Sequence, residues 1–280
     1  MSLQRLLVRG PFRGPTGYDH HTREFVRELN RQGVAVQLVD VPEWGPARFA
    51  PEHQGPWFAS LDRDVGADVA LHFTMPPQVV PYEGMVNVNY TMFEATHVHP
   101  SWIGHNSRHD LVVVPTESSR EAWLASGFDP GKIRVSPLGI DPARFGGAAV
   151  PRAIATADGE SLSRHRVRLL NISELSPRKN QVGLLRAWLR ATTRQDDAVL
   201  LLKLGLYLAG WREDWDDAVV RLQHEVGKRL QEAAPIHVVH DLLADDEMPG
   251  LYAAATPTSA SRTGKGGTSR WSKPPPPACA

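Results

Sequence analysis

Residues 6–39 read L-L-V-R-G-P-F-R-G-P-T-G-Y-D-H-H-T-R-E-F-V-R-E-L-N-R-Q-G-V-A-V-Q-L-V, and this stretch decides the fold class. The apolar run 6–8 is typical of a buried strand, and turn-forming residues follow at 11–17. Apolar side chains then recur at helical spacing until Gly33, and a second strand begins at Val34. Strand, glycine-containing turn, helix and strand in this order predict a parallel α/β unit.

The same alternation of strands and helices continues along the chain in two series. The first series adds strands at 69–73, 86–90, 111–114 and 133–137 and a helix at 118–126. The second has strands at 169–172, 199–204 and 236–239 and helices at 180–191, 215–230 and 247–255. Between them, residues 141–165 are rich in Gly, Ala, Pro and Ser without periodicity, which predicts a linker. The sequence therefore predicts two Rossmann-like domains, 1–145 and 146–255, of which the second is incomplete.

Residues 256–280 differ in composition from everything before them. They contain mostly Thr, Ser, Gly, Arg and Lys, and four prolines occupy 274–277. Proline cannot donate a hydrogen bond within a central strand, and so polar a segment has little apolar surface to bury. We interpret 256–280 as a non-native tail that contributes no core strand.

The composition excludes several classes of protein. Lys plus Arg equals Asp plus Glu, at 31 each among 280 residues, so no net charge favours nucleic acid as a partner. The chain has no apolar run of the ~20 residues that a transmembrane helix needs, and its start is too short and too charged for a secretory signal. The single cysteine, Cys279, excludes an internal disulfide and argues against a zinc–thiolate site. We expect a cytoplasmic protein.

Two places at predicted strand ends are candidate ligand sites. Gly14 and Gly17 lie between a strand and a helix. Glycine there lets the backbone approach a ligand, and the partial positive charge of the helix N-terminus favours an anion. An ordinary tight turn explains the same glycines equally well, since the spacing is not that of a dinucleotide site. Glu94 follows a strand at 86–90, and ligands of open α/β sheets bind at such ends. Its alternative role is that of an acidic residue favouring a helix start.

Arg178 and Lys179 form a basic pair between a predicted strand and a predicted helix. The planar fork of arginine and the point charge of lysine both suit a diphosphate. A solvated basic pair on the surface is the alternative for a dipeptide of this kind.

Four histidines, His97, His99, His105 and His109, suggest a metal cluster at first sight. No cysteine is near them, and their spacing matches no standard zinc pattern. We therefore interpret them as surface or capping histidines and expect no metal site.

Four stretches together resemble the retaining, family 4 glycosyltransferases with the GT-B fold. They are N-Y-T-M-F-E at 89–94, V-V-V-P-T-E-S-S-R at 112–120, V-S-P-L-G-I-D-P-A-R-F at 135–145 and L-N-I-S-E-L-S-P-R-K-N at 170–180. The segment at 135–145 is similar to the family's hinge signature and is fairly specific. The resemblance covers residues 1–255, and it implies two Rossmann-like domains that bind acceptor and donor respectively.

The resemblance also implies a function. The intact protein would transfer a sugar from a nucleotide diphosphate-sugar to a hydroxyl of a glycan, lipid-linked or small-molecule acceptor, without a metal or other cofactor. Arg178 and Lys179 would bind the donor diphosphate, although many members carry an arginine where this chain has Glu174. The acceptor side of the cleft would include Gly14, Thr16, Gly17 and Glu94.

The family further implies two glutamates, separated by seven residues, at the start of a helix that binds the donor sugar. Residues 256–280 do not contain them as written. A shift of one nucleotide after Ala255 would allow the codons of 265–278 to read E-G-W-D-L-P-V-V-E-A-A-A-A-G, which restores that pair. We therefore expect a frameshifted or truncated chain with no catalytic pair and little activity. Two alternatives are a non-catalytic fragment of a damaged gene and a sugar-nucleotide epimerase of the same fold.

Overall fold

The computed structural model describes residues 4–45, 48–49, 56–145, 149–154, 161–205 and 210–255, and the side chains of 210–213 are not described. The predicted tail, 256–280, lies outside these residues. The described chain divides into two compact units, one formed by 4–66 and 140–255 and the other by 67–139.

The described residues form parallel sheets connected by helices. The strands are β1 (Arg5–Arg9), β2 (Ala35–Val39), β3 (Val69–Phe73), β4 (Val86–Tyr90), β5 (Leu111–Val114), β6 (Ile133–Val135), β7 (Val167–Glu174), β8 (Ala198–Gly205) and β9 (Ile236–Val239). The helices are α1 (Gly17–Arg31), α2 (Pro56–Ala59), α3 (Pro100–Asn106), α4 (Glu117–Ala125), α5 (Pro142–Phe145), α6 (Gln181–Ala191), α7 (Gly210–Val226) and α8 (Met248–Ala253). One sheet has the strand order β2-β1-β3-β4-β5-β6, and the other has the order β7-β8-β9. The predicted α/β class is confirmed, and the second sheet has three strands in the described chain.

Strand β8 forms the centre of the second sheet. Its sequence A-V-L-L-L-K-L-G is almost continuously apolar, as expected for a parallel strand covered on both faces. One face packs Leu200, Leu202 and Leu204 against α6 and α7, and the other packs Val199 and Leu201 against α8. Pairing with β7 aligns Ile172 with Lys203, so the carboxyl ends of the two strands meet at one edge of the sheet.

The unit formed by 67–139 has its own core. Trp123 of α4 is fully buried there, and its ring lies 4.9 Å from that of Phe128. The other buried members of this cluster are Val98, Val112, Val114 and Ile133. Because β5 contributes both central valines, this core fixes the strand whose neighbour, β4, leads to Glu94.

Helices α2 and α5, of four residues each, were not predicted, and α5 lies in the segment 141–165 that was predicted as a linker. Two longer helices also differ from the sequence prediction. Helix α3 was not predicted, because P-S-W-I-G-H-N has no helical periodicity; its start is fixed by the ring of His99, which accepts a hydrogen bond from the Ser101 amide at 3.2 Å. Helix α7 was predicted at 215–230 and instead ends at Val226. Gly227 follows with a φ of 68°, the left-handed conformation with which helices commonly end.

Candidate functional site

The glycine-containing turn after β1 is held by an aspartate from the first turn of α1. Asp19 is 2% exposed, and its carboxylate accepts hydrogen bonds from the Gly14 amide at 2.6 Å and the Thr16 amide at 3.2 Å. The Thr16 hydroxyl also donates to Asp19, and it accepts a hydrogen bond from the Trp44 indole at 3.0 Å. Thr16 is thus the N-cap of α1, with Asp19 completing the reciprocal capping pattern.

Gly17 opens α1 and has free space above its α-carbon. A side-chain carbon added there would meet no atom within 4 Å, and the residue does not adopt a positive φ. Neither packing nor backbone conformation within the described chain therefore requires glycine at this position. The open space leaves room for a ligand to approach the backbone closely.

A small open pocket lies beside this turn. It is a shallow depression open to solvent, with room for little more than a water molecule, and is lined by Pro11, Arg13, Gly14, Asp19, Asp40, Val41, Trp44, Gly45 and Arg48. Asp40 joins its two arginines, at 3.1 Å from Arg13 Nε and 2.9 Å from Arg48 Nη1. The pocket therefore presents guanidinium groups and one indole next to the turn, a mixture suited to a polar ligand with an apolar face.

Replacing Asp19 by Ala is expected to lower the free energy of unfolding by about 2–3 kcal/mol, because one buried amide, one partly buried amide and a hydroxyl lose their acceptor. Urea unfolding of the 280-residue chain measures this. Glu28→Ala is the matched control, since Glu28 is an exposed carboxylate on the same helix and is paired only with Arg31 and Gln32 among the described contacts. Equal losses in the two variants would contradict the structural role of Asp19.

The predicted diphosphate residues lie on a single turn between β7 and α6. Residues Pro177–Lys179 form a short 3-10 helix, in which Arg178 is exposed and Lys179 half-buried. The turn is anchored by Gln181, 3% exposed, whose amide donates to the Glu174 carbonyl at 2.6 Å and to the Ser173 hydroxyl at 2.9 Å. Both cations are therefore placed at the carboxyl end of β7 on a rigidly held segment.

Asn180 connects this turn to α6 in a left-handed conformation, with φ 56° and ψ 39°. Among the described residues it is the one non-glycine residue with a positive φ. Its side-chain amide lies over Gly183, where an added carbon would come within 2.5 to 2.7 Å of it. Gly183 thus leaves the space that this amide occupies.

The third predicted place, Glu94, lies four residues beyond the carboxyl end of β4 and is exposed. The segment leading to it is well fixed: Thr91 is fully buried and its amide donates to the Val113 carbonyl at 3.0 Å. Tyr90 donates from its hydroxyl to the Ser136 carbonyl at 2.5 Å. The structure therefore places Glu94 at a strand end, as predicted, within the unit formed by 67–139.

The four histidines of the sequence analysis do not gather into a ligand set in the described part of the chain. His97 is exposed, and His99 caps α3. The interpretation as surface or capping residues is wrong for His109, which is 1% exposed with its ring 6.0 Å from that of His72. Burial lowers the pKa of His109 below its usual value, which favours the neutral ring.

One other group within the described ranges has the geometry to hold a cation. His20, Glu24 and Asp245 offer atoms within 4.8 Å of one another. However, both carboxylates already face arginines: Asp245 is 2.7 Å from Arg23 Nε, and Glu24 is 2.9 Å from Arg144 Nη1. A metal ion would have to displace these ion pairs, so we assign no metal to this group.

Sequence reasoning missed three charged residues near the predicted sites. Arg23, which is buried, and Asp245, which is half-buried, form an ion pair across 222 residues of sequence, which no local pattern signals. Lys203 is 7% exposed in the apolar strand β8; burial lowers its pKa, while the charge of Asp241 acts in the opposite direction. A lysine interrupting an otherwise apolar strand is a signal that could have identified it.

No protein-family model matches the sequence, and no curated protein resembles it. Several solved structures, in contrast, are similar to this chain. HepE of Anabaena, determined in complex with UDP and glucose, is 14% identical with a TM-score of 0.57, and the match covers 92% of this chain and 74% of that chain. The chain has the GT-B fold. A glycosyltransferase from Rickettsia africae is 12% identical with a TM-score of 0.57, covering 94% and 74% of the two chains.

A third GT-B structure is WaaG, a glycosyltransferase involved in lipopolysaccharide biosynthesis, at 13% identity and a TM-score of 0.52, with 92% of this chain and 75% of that one covered. Identities this low establish the fold alone. Within the described residues, no helix of this GT-B chain is both long and apolar enough to cross a membrane.

Proposed function

We propose that the chain derives from a nucleotide-sugar-dependent glycosyltransferase of the retaining, family 4 type. The observation that carries the proposal is the position of Arg178 and Lys179, on the turn between the carboxyl end of β7 and α6 in a GT-B chain. Ligands of open parallel sheets bind at such strand ends. Solved structures with the same fold include HepE bound to UDP-glucose.

The proposed chemistry is transfer of the sugar from the nucleoside diphosphate to an acceptor hydroxyl. As the glycosidic bond breaks, negative charge develops on the departing diphosphate, and two nearby cations stabilise that charge in the transition state. Helix α6 begins two residues after Lys179 and adds the partial positive charge of its first turn. The arginine at 178 would take the role that an arginine at the position of Glu174 has in many family members.

We further propose that the turn at 14–17 and Glu94 serve the acceptor. The open space above Gly17 would let an acceptor approach the backbone closely. Arg13, Trp44 and Arg48 of the adjoining pocket offer hydrogen-bond donors and an aromatic face, which suits hydroxylated ligands. A glycan, a lipid-linked sugar and a small hydroxylated molecule all have this chemistry.

No metal is required in this proposal, because Arg178 and Lys179 would neutralise the diphosphate themselves. A cytoplasmic location is proposed together with it, on the basis of the single cysteine in the 280 residues. No nucleic acid partner is proposed for a chain with equal numbers of acidic and basic residues.

We propose in addition that the reading frame is shifted after Ala255. The support is the pair of glutamates, separated by seven residues, that the shifted codons of 265–278 can encode. In this proposal the 280-residue chain keeps the turn 177–179, which would bind the diphosphate, and lacks the groups that would hold the donor sugar. A non-catalytic fragment is accordingly the second candidate for the chain as written.

Binding of nucleotides tests the function without requiring catalysis. We expect the 280-residue chain to bind one of UDP, GDP and ADP at least about tenfold more tightly than the corresponding monophosphate, since the second phosphate gains charge-assisted hydrogen bonds. Isothermal titration calorimetry with the six nucleotides measures the difference. Equal affinity for diphosphates and monophosphates would remove Arg178 and Lys179 from a diphosphate site.

Transfer of the sugar to an acceptor distinguishes the proposed function from epimerisation of the nucleotide sugar. A frame-restored protein, incubated with the nucleotide sugar of the preferred diphosphate and a panel of hydroxylated acceptors, is expected to form a glycosylated product. Interconversion of the free nucleotide sugar, without any glycosylated product, would instead identify an epimerase.

A further inference from the structure

Arg23 of α1 connects the turn after β1 to a segment more than two hundred residues further along the chain. Its guanidinium donates to the Phe12 carbonyl at 2.8 Å and to the Gly14 carbonyl at 2.7 Å, both from Nη1. From Nε and Nη2 it donates to the two oxygens of Asp245, at 2.7 and 2.8 Å. The Arg23 side chain is 4% exposed, so these contacts are its main source of stabilisation.

Asp245 is held in its charged form by this arrangement. Burial alone would raise the pKa of Asp245, but hydrogen bonds from His20 and Arg23 and the charge of Arg23 outweigh it and hold the pKa well below its usual value. The carboxylate therefore stays ionised at neutral pH. A bidentate pair of this kind fixes the plane of the guanidinium, and with it the direction of the remaining N–H groups.

Side chains thus restrain both the backbone amides and the backbone carbonyls of the turn. Asp19 accepts from the amides of Gly14 and Thr16, whereas Arg23 donates to the carbonyls of Phe12 and Gly14. The peptide planes around Gly14 have little freedom as long as both side chains stay in place. Asp19 belongs to the same helix as the turn, but the orientation of Arg23 depends on Asp245.

We propose that Arg23 and Asp245 are positioning residues that hold the 12–17 turn in its ligand-binding form. Asp245 precedes α8, in the part of the sequence assigned to the donor side, and Arg23 lies in the part assigned to the acceptor side. The donor-side segment would in this way determine the shape of the turn that receives the acceptor. The acceptor role of the turn rests on the proposed function, whereas its dependence on Asp245 does not.

Hydrogen exchange of the 280-residue chain tests this dependence. Asp245→Asn keeps the shape of the side chain but removes the charge and one of the two strong acceptors. We expect amide exchange within the peptide 10–18 to accelerate at least about tenfold, because local opening of the turn becomes easier. Asp246→Asn is the matched control: Asp246 is exposed, and no hydrogen bond or ion pair of its side chain occurs among the described contacts. Unchanged exchange of 10–18 in Asp245→Asn would overturn the proposal.

A second variant covers the case in which Asp245→Asn opens the whole protein. Arg23→Lys keeps a buried cation beside Asp245 but cannot reach the carboxylate and both carbonyls simultaneously. Faster exchange confined to 10–18 supports the proposal. Equally faster exchange in all core peptides of both variants would show that the pair supports only global stability, and would overturn it.

Kinetics of the frame-restored protein separate positioning from general stability. Asp245→Asn is expected to raise the KM for the acceptor at least about fivefold and to leave the KM for the nucleotide sugar within about twofold. Equal increases of both constants would contradict a role confined to the turn. If the unsubstituted frame-restored protein transfers no sugar, the proposed function fails, and the exchange experiment still decides the role of Asp245.

Discussion

A frame-restored protein, recoded after Ala255 and extended through the rest of the second domain, is expected to transfer sugar at least about a thousandfold faster than the 280-residue chain. The described part of the second sheet has three strands, and residues 256–280 as written contain no pair of glutamates. Contacts to the donor sugar that strengthen in the transition state typically contribute several kcal/mol, which corresponds to this factor. The turn that carries Arg178 and Lys179 is proposed to bind only the diphosphate, so it does not supply them.

The measurement compares both proteins side by side with a panel of nucleotide sugars, following product formation and slow hydrolysis of the donor. A frame-restored protein in which both glutamates of the restored pair are replaced by Gln is the control, because it has the complete fold without the acidic pair. It should stay near the level of the 280-residue chain. If the 280-residue chain turns over as fast as the restored protein, the frameshift hypothesis is wrong.

Replacing Arg178 and Lys179 together by Ala in the frame-restored protein is expected to lower kcat/KM for the nucleotide sugar by about a hundredfold to ten-thousandfold. Under the proposed function this change removes two charge-assisted contacts to the leaving diphosphate, and such contacts act mainly on the transition state. The free energy of unfolding should change little, since Arg178 is exposed and the turn is anchored by the side chain of Gln181.

The matched control for this pair is Arg186→Ala with Arg190→Ala. These two arginines lie on the following helix, α6, where both face Glu225. Replacing both removes two positive charges, as the Arg178–Lys179 variant does. We expect kcat/KM of the control to stay within about twofold of the unsubstituted protein. Unchanged kcat/KM in the Arg178–Lys179 variant would exclude these residues from the donor site.

The fold could be predicted from the sequence where apolar runs are short and sharply bounded. Strands β3, β4, β5 and β9 have the predicted bounds residue for residue, because each is a short run rich in valine and other apolar residues, with at most two polar side chains among them. Helix α3 could not be predicted in this way, since it contains Gly104 and has no apolar stripe. Its start depends on a histidine side chain acting as a cap, which periodicity does not record.

The candidate site could be predicted only in part. Spacing relative to strand ends correctly located Arg178, Lys179 and the turn at 14–17 between a strand and a helix, because the carboxyl ends of parallel strands are predictable positions. Their roles in binding stay predictions. The contact of Arg23 with Asp245 depends on how the chain folds back on itself, which a single sequence does not state. The buried position of His109 was likewise missed. Histidine is a polar residue and is expected at the surface, but here its ring lies beside that of His72.

The overlap of Asn180 with the space above Gly183 has a consequence for sequence change in this protein. The two positions share one volume, so a methyl group gained at 183 must displace the amide of Asn180, which lies within 2.5 to 2.7 Å. The left-handed backbone at 180 in turn favours Asn or Gly over other residues. A substitution at 183 therefore requires the Asn180 side chain to take another rotamer, whereas Gly at 180 would remove the overlap altogether.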